Sequence, residues 1–460
     1  MPIAQRQKKM RLEQSMKIDQ LVVKNFKKFA DQTFTFHPQF TLLVGENGSG
    51  KTSVLDALAV ALGIWLVEPP DSSLQNSRRN ILTREIRIES LLAGDRIQFL
   101  QQRPVEVTAT GRIGEKDNLT WTRRFSTEGK KPRIADAKEA LAVVAEIYGR
   151  VAKGQHVLCP VLAYYGAGRA WLPSNKLTKK EANGGPARRW AAFYDCFTER
   201  IRFDELRKWF HRETTAAGNR GGRMRPGFEV VKQAVLGCVP DADNVWYDDD
   251  QGDIILSIAG QAQPFNNLSA GQRMMLALVA DIASKAVTQN AYLLPPDELG
   301  PEDKPLPRLL QETPGVVLID ELDVHLHPKW QRHVVEDLRT TFPKIQFIGT
   351  THSPFVIQSL RSGEELILLD GQSPAQVADM PIDEIAQGIM GVSNPQVSIR
   401  YEEMNNVARH YLETLEEAAL APEEKLVAYK ERLAQAIAPY ADNPAFQAFL
   451  EMKRAAKLGE

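Results

Sequence analysis

The sequence predicts an α/β fold, a mixed sheet with flanking helices, which is extended by a helical insertion lobe and a helical C-terminal tail. Three apolar stretches predict the sheet. Residues 42–44 run into a glycine-rich turn and then a helix, residues 315–319 end at Asp320, and residues 346–350 end just before His352. Short apolar runs bounded by turn or polar residues are typical of strands that are buried on both faces. The polar residues that follow these strands are the first candidates for a functional site.

The glycine-rich turn has the spacing of a phosphate loop. Gly45, Gly50, Lys51 and Thr52 fit the pattern GxxxxGK[ST]. Glycines allow consecutive backbone N–H groups to turn inward around phosphate oxygens, and the helix that follows adds the positive end of its dipole. A chance glycine-rich turn is disfavoured because the motif lies between a strand and a helix, as the mechanism requires. The residues predicted to bind ATP are Gly45, Glu46, Asn47, Gly48, Ser49, Gly50, Lys51, Thr52 and Ser53.

Composition sets broad limits on the function. The chain of 460 residues is long enough for about two or three domains, and its 43% hydrophobic and 25% charged residues are ordinary for a globular protein. The net charge of −1 means that any nucleic-acid surface must be local. Three widely spaced cysteines argue against a disulfide framework and suit a reducing cytoplasm. The strongest apolar run, residues 54–67, is too short to span a bilayer, so we expect no membrane association.

The chain before residue 172 alternates between strand and helix patterns. Alternating apolar residues predict strands, and apolar residues at a spacing of three or four predict helices. The predicted elements are two strands in residues 16–36, a helix in 78–92, a hairpin of 105–110 with 119–125, a helix in 135–151 and a buried strand in 157–165. We therefore expect residues 1–172 to form the N-terminal part of the main domain.

A basic, aromatic segment follows and predicts the insertion lobe at residues 173–237. Residues 174–236 contain fourteen Lys and Arg against seven Asp and Glu, with interleaved aromatic residues, and residues 188–212 have helical spacing. One interpretation is a nucleic-acid or partner surface. The other is a helical lobe with a solvated basic face and an aromatic core. Farther along, residues 245–247 and 254–258 flank an acidic turn and predict a hairpin rather than a calcium loop, because the carboxylates lack the required spacing.

The second half of the main domain, residues 238–370, carries three more motifs. Ser269 and Gly271 precede an apolar helix at residues 274–286, and a serine followed by glycine at a helix start can bind an anion. An apolar strand delivers Asp320 to a position where it can organise Mg2+, and Glu321 points to the other side of the strand, where it can face an attacking water.

Three histidines follow the carboxylate pair. His352 ends the next apolar strand, where it can contact a γ-phosphate instead of playing a structural role. His325 and His327, two residues apart, are a weaker candidate for metal binding, because no third His or Cys lies nearby in sequence.

The order of phosphate loop, LSAGQR, the hydrophobic strand ending in Asp-Glu, and TTHS resembles the ABC-type ATPase heads of the SMC and RecF class. This resemblance covers residues 17 to about 369, interrupted by the insertion lobe, and implies an ABC-type P-loop ATPase head. It implies that Asp320 is the Walker B acid, which binds Mg2+ together with Thr52. Glu321 would then be the catalytic general base and His352 the catalytic switch histidine. Asp323 would be the D-loop acid.

The resemblance also implies an ATP-sandwich dimer. In such heads the signature of one subunit completes the nucleotide site of the other, and the implied signature residues are Leu268, Ser269, Ala270, Gly271 and Gln272. The sequence departs from the pattern at three places. Ala270 replaces the first of two usual glycines, residues 294–307 form a proline-rich insertion, and no glutamine follows the strand that ends at Tyr165.

Residues 371–460 predict three charged helices, in 401–420, 422–438 and 444–458, for partner docking or capping. The compact layout resembles the ATPase subunits of Septu and retron anti-phage defence systems. That resemblance implies a cytoplasmic homodimer or higher oligomer that scaffolds a separate HNH nuclease, with ATP and Mg2+ as cofactors. The alternative is a RecF-like DNA-repair ATPase that binds DNA directly through residues 188–225. A membrane transporter ATPase is disfavoured, because the sequence shows no coupling feature.

Overall fold

The computed structural model describes residues 15–93, 96–126, 133–170, 189–194, 196–201, 203–219, 221–290, 307–369, 380–420, 422–440 and 443–458. Two compact units divide the chain, Met1–Ile385 and Ala386–Glu460. This boundary falls fifteen residues beyond the predicted start of the tail at residue 371. Most of the predicted proline-rich insertion, and the first part of the insertion lobe, lie outside the described residues.

Two five-stranded sheets form the framework of the first unit. The antiparallel sheet has the order β2-β1-β6-β7-β8 and the parallel sheet the order β15-β3-β14-β13-β9. The strands of the antiparallel sheet are β1 (Ser15–Phe26), β2 (Phe29–Thr35), β6 (Val105–Gly114), β7 (Lys116–Phe125) and β8 (Arg133–Ala135). The strands of the parallel sheet are β3 (Phe40–Val44), β9 (Val161–Tyr165), β13 (Gly315–Ile319), β14 (Ile345–Thr350) and β15 (Leu366–Leu368). The predicted α/β class is confirmed, with parallel and antiparallel pairing divided between the two sheets.

Helix α1 (Lys51–Leu62) lies in the core that the two sheets share. Ten of its twelve residues are buried, so the helix is enclosed on all sides rather than along one stripe. The indole N–H of Trp121 on β7 donates to the carbonyl of Ala61, 3.0 Å away. A buried amide also joins the sheets: Gln346 on β14 accepts from the N–H of Ile18 and donates to its carbonyl, both at 2.8 Å. The first contact holds the phosphate-loop helix to the antiparallel sheet, and the second joins the two sheets to each other.

The predicted helix in residues 78–92 is wrong. Short 3₁₀ turns lie at Ser72–Ser77 and Thr83–Glu85, and a separate two-stranded hairpin follows, β4 (Ile88–Ala93) with β5 (Arg96–Gln101). Ile88 and Leu92 are four residues apart, a spacing that places two side chains on one face of a strand as well as on one face of a helix. The predicted hairpin of residues 105–125 and the helix α2 (Lys138–Ala152) are confirmed.

Helices α3 (Phe203–Gly218) and α4 (Pro226–Cys238) form the described part of the insertion lobe. Helical spacing did not extend back to residue 188: a 3₁₀ turn spans Trp190–Phe193, and the next residues run beside β9. The carbonyls of Cys196 and Glu199 accept from the N–H groups of Tyr164 and Gly166, so this segment bonds to the sheet instead of coiling. Phe210 is fully buried between the rings of Trp209 and Phe228, which builds an aromatic core in this lobe.

The remainder of the first unit completes the parallel sheet. A three-stranded sheet, β10 (Ala242–Asp248), β11 (Asp253–Ile258) and β12 (Gln261–Pro264), confirms the hairpin around the acidic turn. The long helix α5 (Ala270–Asn290) precedes β13, and the short helices α6 (Arg308–Glu312), α7 (Pro328–Gln331), α8 (Val334–Thr341), α9 (Pro354–Gln358) and α10 (Ile382–Gly388) connect or follow the strands.

The second unit is a three-helix arrangement, as predicted. Its helices are α11 (Ile399–Ala419), α12 (Glu423–Ile437) and α13 (Pro444–Leu458). Their core consists of Tyr411, Leu415, Leu433 and Leu450. The hydroxyl of Ser398 accepts from the N–H of Tyr401 and caps the first helix. Within the residues described, no helix is long and apolar enough to cross a membrane.

Candidate active site

The phosphate loop joins β3 to α1 in the predicted strand–loop–helix arrangement. Gly48 and Gly50 have φ angles of 80° and 105°, in the left-handed region that favours glycine. A side chain at Gly50 would also meet the ring of Phe29, since a Cβ built there lies 2.6 Å from its Cζ atom. Both glycines are therefore required by the backbone path that turns the loop around a concave set of N–H groups.

Two side chains of this loop fit a bound phosphate. The ammonium of Lys51 is buried and donates to the carbonyls of Gly45 and Glu46 at 2.7 and 2.9 Å, so it lies inside the curve of the loop. The hydroxyl of Ser49 is buried and has no hydrogen-bond partner. An orphaned hydroxyl costs free energy unless a ligand satisfies it. The loop thus has the donors that a nucleotide phosphate would need.

Three strands bring hydroxyl and carboxylate groups together beside the loop. The Thr52 hydroxyl donates to one oxygen of Asp320 at 2.9 Å, and the Thr350 hydroxyl donates to the other oxygen at 2.6 Å. Thr52 follows β3, Asp320 follows β13, and Thr350 ends β14, and these strands are neighbours in the parallel sheet. The carboxyl ends of parallel strands meet at one edge, which explains the convergence. Asp320 and Thr52 thus have the oxygen ligands that Mg2+ prefers.

Glu321 is held in a left-handed conformation beside this cluster. Its φ is 50°, which is rare for a non-glycine residue and is typical of functional sites. Its N–H donates to the Thr350 hydroxyl at 2.7 Å. Sequence reasoning did not select Thr350, because its role depends on hydrogen bonds between neighbouring strands.

Arg169 is the second residue that the sequence did not predict. It lies four residues beyond β9 and is 1% exposed. Its guanidinium donates to the carbonyls of Gly166, Asp320 and Glu321, the last at 3.0 Å. Burial lowers its pKa to about 10, while the carboxylates around it oppose that shift. The run GAGR, where no glutamine was found, therefore places an arginine against the backbone of the carboxylate pair.

The predicted D-loop and switch residues contact each other within one chain. One carboxylate oxygen of Asp323 accepts from the Thr351 hydroxyl at 2.6 Å and from the backbone N–H of His352 at 3.1 Å. The His352 side chain is exposed. Asp323 therefore ties the loop after β13 to the loop after β14, and the His352 imidazole stays available at the surface.

The signature residues begin helix α5 and pack on the same loop. The Ser269 hydroxyl accepts from the N–H of Gln272 at 3.3 Å, while the Gln272 side chain accepts from the N–H of Ser269 at 2.9 Å, a reciprocal capping box. A Cβ on Gly271 would lie 2.5 Å from the carbonyl oxygen of His325. Gly271 is thus needed for close packing against the loop after β13, whereas Ser269 is exposed.

The turn between β1 and β2 is a further neighbour of the phosphate loop that the sequence did not predict. The Lys28 ammonium donates to the carbonyl of Gly48 at 2.9 Å. The turn holds its shape through left-handed Asn25 and Lys27.

The weaker metal candidates do not form a site in the part of the chain described. His327 caps the short helix α7, with its Nδ1 atom accepting from the N–H of Lys329 at 3.2 Å. No group of three His, Cys, Asp or Glu side chains among the described residues could hold a metal ion. Cys159, Cys196 and Cys238 are buried and form no disulfide in the described structure.

Comparison with known families agrees with this geometry. Residues 20–212 match an AAA domain family. Residues 256–358 match a second AAA domain family, whose description is "AAA domain, putative AbiEii toxin, Type IV TA system". Together with the strand order and the converging motifs, these matches support the ATPase class that the sequence predicted, since two stretches of the chain are similar to AAA domains.

Two curated proteins are similar to this chain in sequence. The chain is 24% identical to Septu protein PtuA of Bacillus mycoides over 361 residues, which are 77% of this chain and 41% of PtuA. It is 37% identical to the Retron Vc95 probable ATPase of Vibrio cholerae over 141 residues, 30% of this chain and 25% of that protein. The chain thus spans less than half the length of these curated relatives.

Among solved structures, an Smc head domain of Pyrococcus furiosus, bound to the C-terminal domain of ScpA, covers 76% of this chain and 93% of its own, with a TM-score of 0.41 and 17% identity.

Proposed function

We propose that this chain binds ATP with Mg2+ and hydrolyses it slowly, as the ATPase subunit of an anti-phage defence complex. One observation carries the proposal: Thr52, Asp320 and Thr350 converge beside a phosphate loop whose buried Ser49 hydroxyl lacks a partner. A bound phosphate would give the buried Ser49 hydroxyl the partner that the protein itself does not supply.

The loop and the carboxylate have separate tasks in this proposal. The loop N–H groups and Lys51 would hold the β- and γ-phosphates, and the Thr52 hydroxyl with Asp320 would hold Mg2+, which would supply positive charge beside the phosphoryl group. The Thr350 bond keeps the second oxygen of Asp320 occupied, so the carboxylate presents one oxygen toward Thr52. This arrangement limits rotation of the carboxylate and fixes the direction of its charge.

Glu321 activates the attacking water. A general base must be held within hydrogen-bond distance of the proton it accepts. Arg169 and Thr350 are hydrogen-bonded to the backbone of Glu321, and these bonds fix the position from which its side chain extends. His352 lies exposed after the neighbouring strand and contacts the γ-phosphate. The two groups act from adjacent strand ends on the same phosphate.

Two copies complete each site. Ser269 is exposed at the start of a 21-residue helix, where the hydroxyl and the helix N-terminus favour an anion. We propose that Leu268 to Gln272 of one copy contact the γ-phosphate held by the other copy, and that Asp323 lies at the junction. ATP then closes the dimer, and hydrolysis opens it.

The defence role rests on the similarity to PtuA and to the retron ATPase. We propose that the ATPase scaffolds and regulates a separate HNH nuclease, PtuB-like, which docks on the helices of residues 399–458. A RecF-like role in DNA repair is the second candidate, favoured by the excess of Lys and Arg in residues 174–236. Phe210 and Phe193 are buried, so their rings cannot stack on bases, and this weakens the case for the repair role.

The decisive experiment uses Glu321→Gln with Glu364→Gln, an exposed glutamate, as the matched control. We expect Glu321→Gln to lose turnover and to accumulate an ATP-bound dimer in sedimentation velocity, while the control behaves as the parent. Parental turnover together with no dimer in Glu321→Gln would end the proposal. Steep salt-dependent binding to duplex DNA, without co-purification of a co-expressed HNH protein, would favour the repair role.

A further inference from the structure

The β4–β5 hairpin exposes an unusual amount of apolar surface. Antiparallel partners Ile88 and Gln101, Ser90 and Phe99, and Leu92 and Ile97 lie directly opposite each other. Opposite residues share a face, so one face of the hairpin carries all six side chains. Four of them are large and apolar, with exposures of 56% for Ile88, 80% for Leu92, 59% for Ile97 and 70% for Phe99.

Among the residues that the structure describes, nothing covers this face. Two strands alone are marginally stable in water, and an exposed apolar patch of this kind marks an interaction site. The hairpin pairs with no third strand among the described residues, so its edges are open as well. The apolar face contains Ser90 and Gln101 but no charged residue, whereas the opposite face carries Glu89 and Arg96. The surface that covers the apolar face must therefore also be apolar or uncharged.

The base of the hairpin is joined to the nucleotide site. The N–H of Arg87 donates to the carbonyl of Asn25 at 2.9 Å, and the N–H of Lys27 donates to the carbonyl of Glu85 at 2.7 Å. Both bonds fasten the hairpin to the β1–β2 turn, whose Lys28 contacts the phosphate loop. The hairpin therefore projects from the part of the head that holds the phosphate loop.

We propose that the apolar face of the β4–β5 hairpin docks on a second copy of this chain when ATP closes the dimer. The inference rests on the proposed function, in which the second copy approaches this same part of the head. That position selects a second copy over an unrelated partner, and the absence of charge on the face avoids like-charge repulsion between identical chains. Phe99, the largest exposed side chain of the face, is its anchor.

The test uses Phe99→Ser in the Glu321→Gln background. The matched control is Leu420→Ser, which removes an equally apolar side chain that is 89% exposed in the second unit. Sedimentation velocity with ATP and Mg2+ should show an ATP-dependent dimer for the parent and the control. We expect Phe99→Ser to raise the dimer dissociation constant at least about tenfold. Its melting temperature and its affinity for ATP as a monomer should stay unchanged, because the side chain contacts solvent.

A second measurement locates the contact. A photo-crosslinking amino acid in place of Phe99 should give a covalent dimer of this chain with ATP and monomer without it. The inference is overturned if the parent dimerises with ATP and Phe99→Ser dimerises equally well, and in that case the proposed function survives. It is also overturned if position 99 crosslinks only to a co-expressed nuclease. Failure of the parent itself to dimerise with ATP would remove both proposals.

Discussion

The guanidinium of Arg169 lies 3.0 Å from the carbonyl oxygen of Glu321, a residue whose backbone has a left-handed φ of 50°. An L side chain reaches that conformation at a cost, and surrounding bonds must maintain it. A buried arginine that donates to three carbonyls supplies such bonds at the point where the carboxylate pair leaves β13. Arg169 is therefore a positioning residue in the proposed mechanism.

We expect Arg169→Met to lower kcat for ATP about 10- to 100-fold, the usual loss for residues that orient a ligand group, while the affinity for ATP changes little. Carbonyls of Asp320 and Glu321 would lose their donor, so the melting temperature should fall as well. Arg169→Lys retains one donor and should recover part of kcat. Equal loss of ATP affinity and kcat in both variants would contradict a positioning role.

Thr350→Val removes the hydroxyl but keeps the shape of the side chain, so it tests the hydrogen bonds of Thr350 alone. The variant leaves the N–H of Glu321 and one oxygen of Asp320 without their partner, at a cost of about 1–3 kcal/mol in the free energy of unfolding. Turnover should fall with it. Thr110→Val, which breaks an exposed cross-strand hydroxyl pair, is the control and should change both quantities little. Similar unfolding curves for the two variants would contradict this account.

Gly271→Ala should disturb the contact between signature and D-loop. The added Cβ would lie 2.5 Å from the His325 carbonyl oxygen, so the start of α5 must move away. We expect a weaker ATP-dependent dimer and slower turnover. Gly149→Ala on α2, where an added Cβ meets nothing within 4 Å, should leave both unchanged and raise the melting temperature slightly. Normal dimerisation of Gly271→Ala would show that the helix start tolerates displacement.

Asp337 on α8 predicts a pH dependence of stability. Burial raises the pKa of its carboxyl to about 6, with Glu336 adding to the shift and His333 opposing it. The folded chain therefore binds the proton more tightly than the unfolded chain, and stability falls as pH rises from about 4 to 6. Above pH 6 the loss is complete.

Asp337→Asn removes this titration. Its melting temperature relative to the parent should increase between pH 4 and pH 6 and then stay constant, as measured by thermal unfolding. Asp250→Asn in the exposed β10–β11 turn controls for the change in charge. A difference that is independent of pH would contradict the assignment.

The sequence predicted those parts of the fold whose signal lies in a short stretch of neighbouring residues. The phosphate loop, the apolar strands of the parallel sheet and the tail helices each carry their signal within a few residues. The predicted helix of residues 78–92 included the first strand of the hairpin, because apolar residues four apart fit a helix as well as one face of a strand. The carbonyls of Cys196 and Glu199 accept from residues at and just after β9, a partner that is distant in sequence.

The candidate site divides in the same way. Lys51, Thr52 and Asp320 belong to motifs that are visible in one sequence, and the structure brings the last two within hydrogen-bond distance. Arg169 and Thr350 have no such motif. Their importance comes from carbonyls and hydroxyls on strands that are far apart along the chain, so only the folded arrangement reveals them.

The side-chain amide of Gln346 connects the parallel sheet to the antiparallel sheet. It is fully buried and holds the backbone of Ile18 at one end of β14, while Thr350 ends the same strand among the carboxylates. In the proposed mechanism, a shift of this strand end on loss of the terminal phosphate would therefore have a direct hydrogen-bonded route along β14 to the antiparallel sheet.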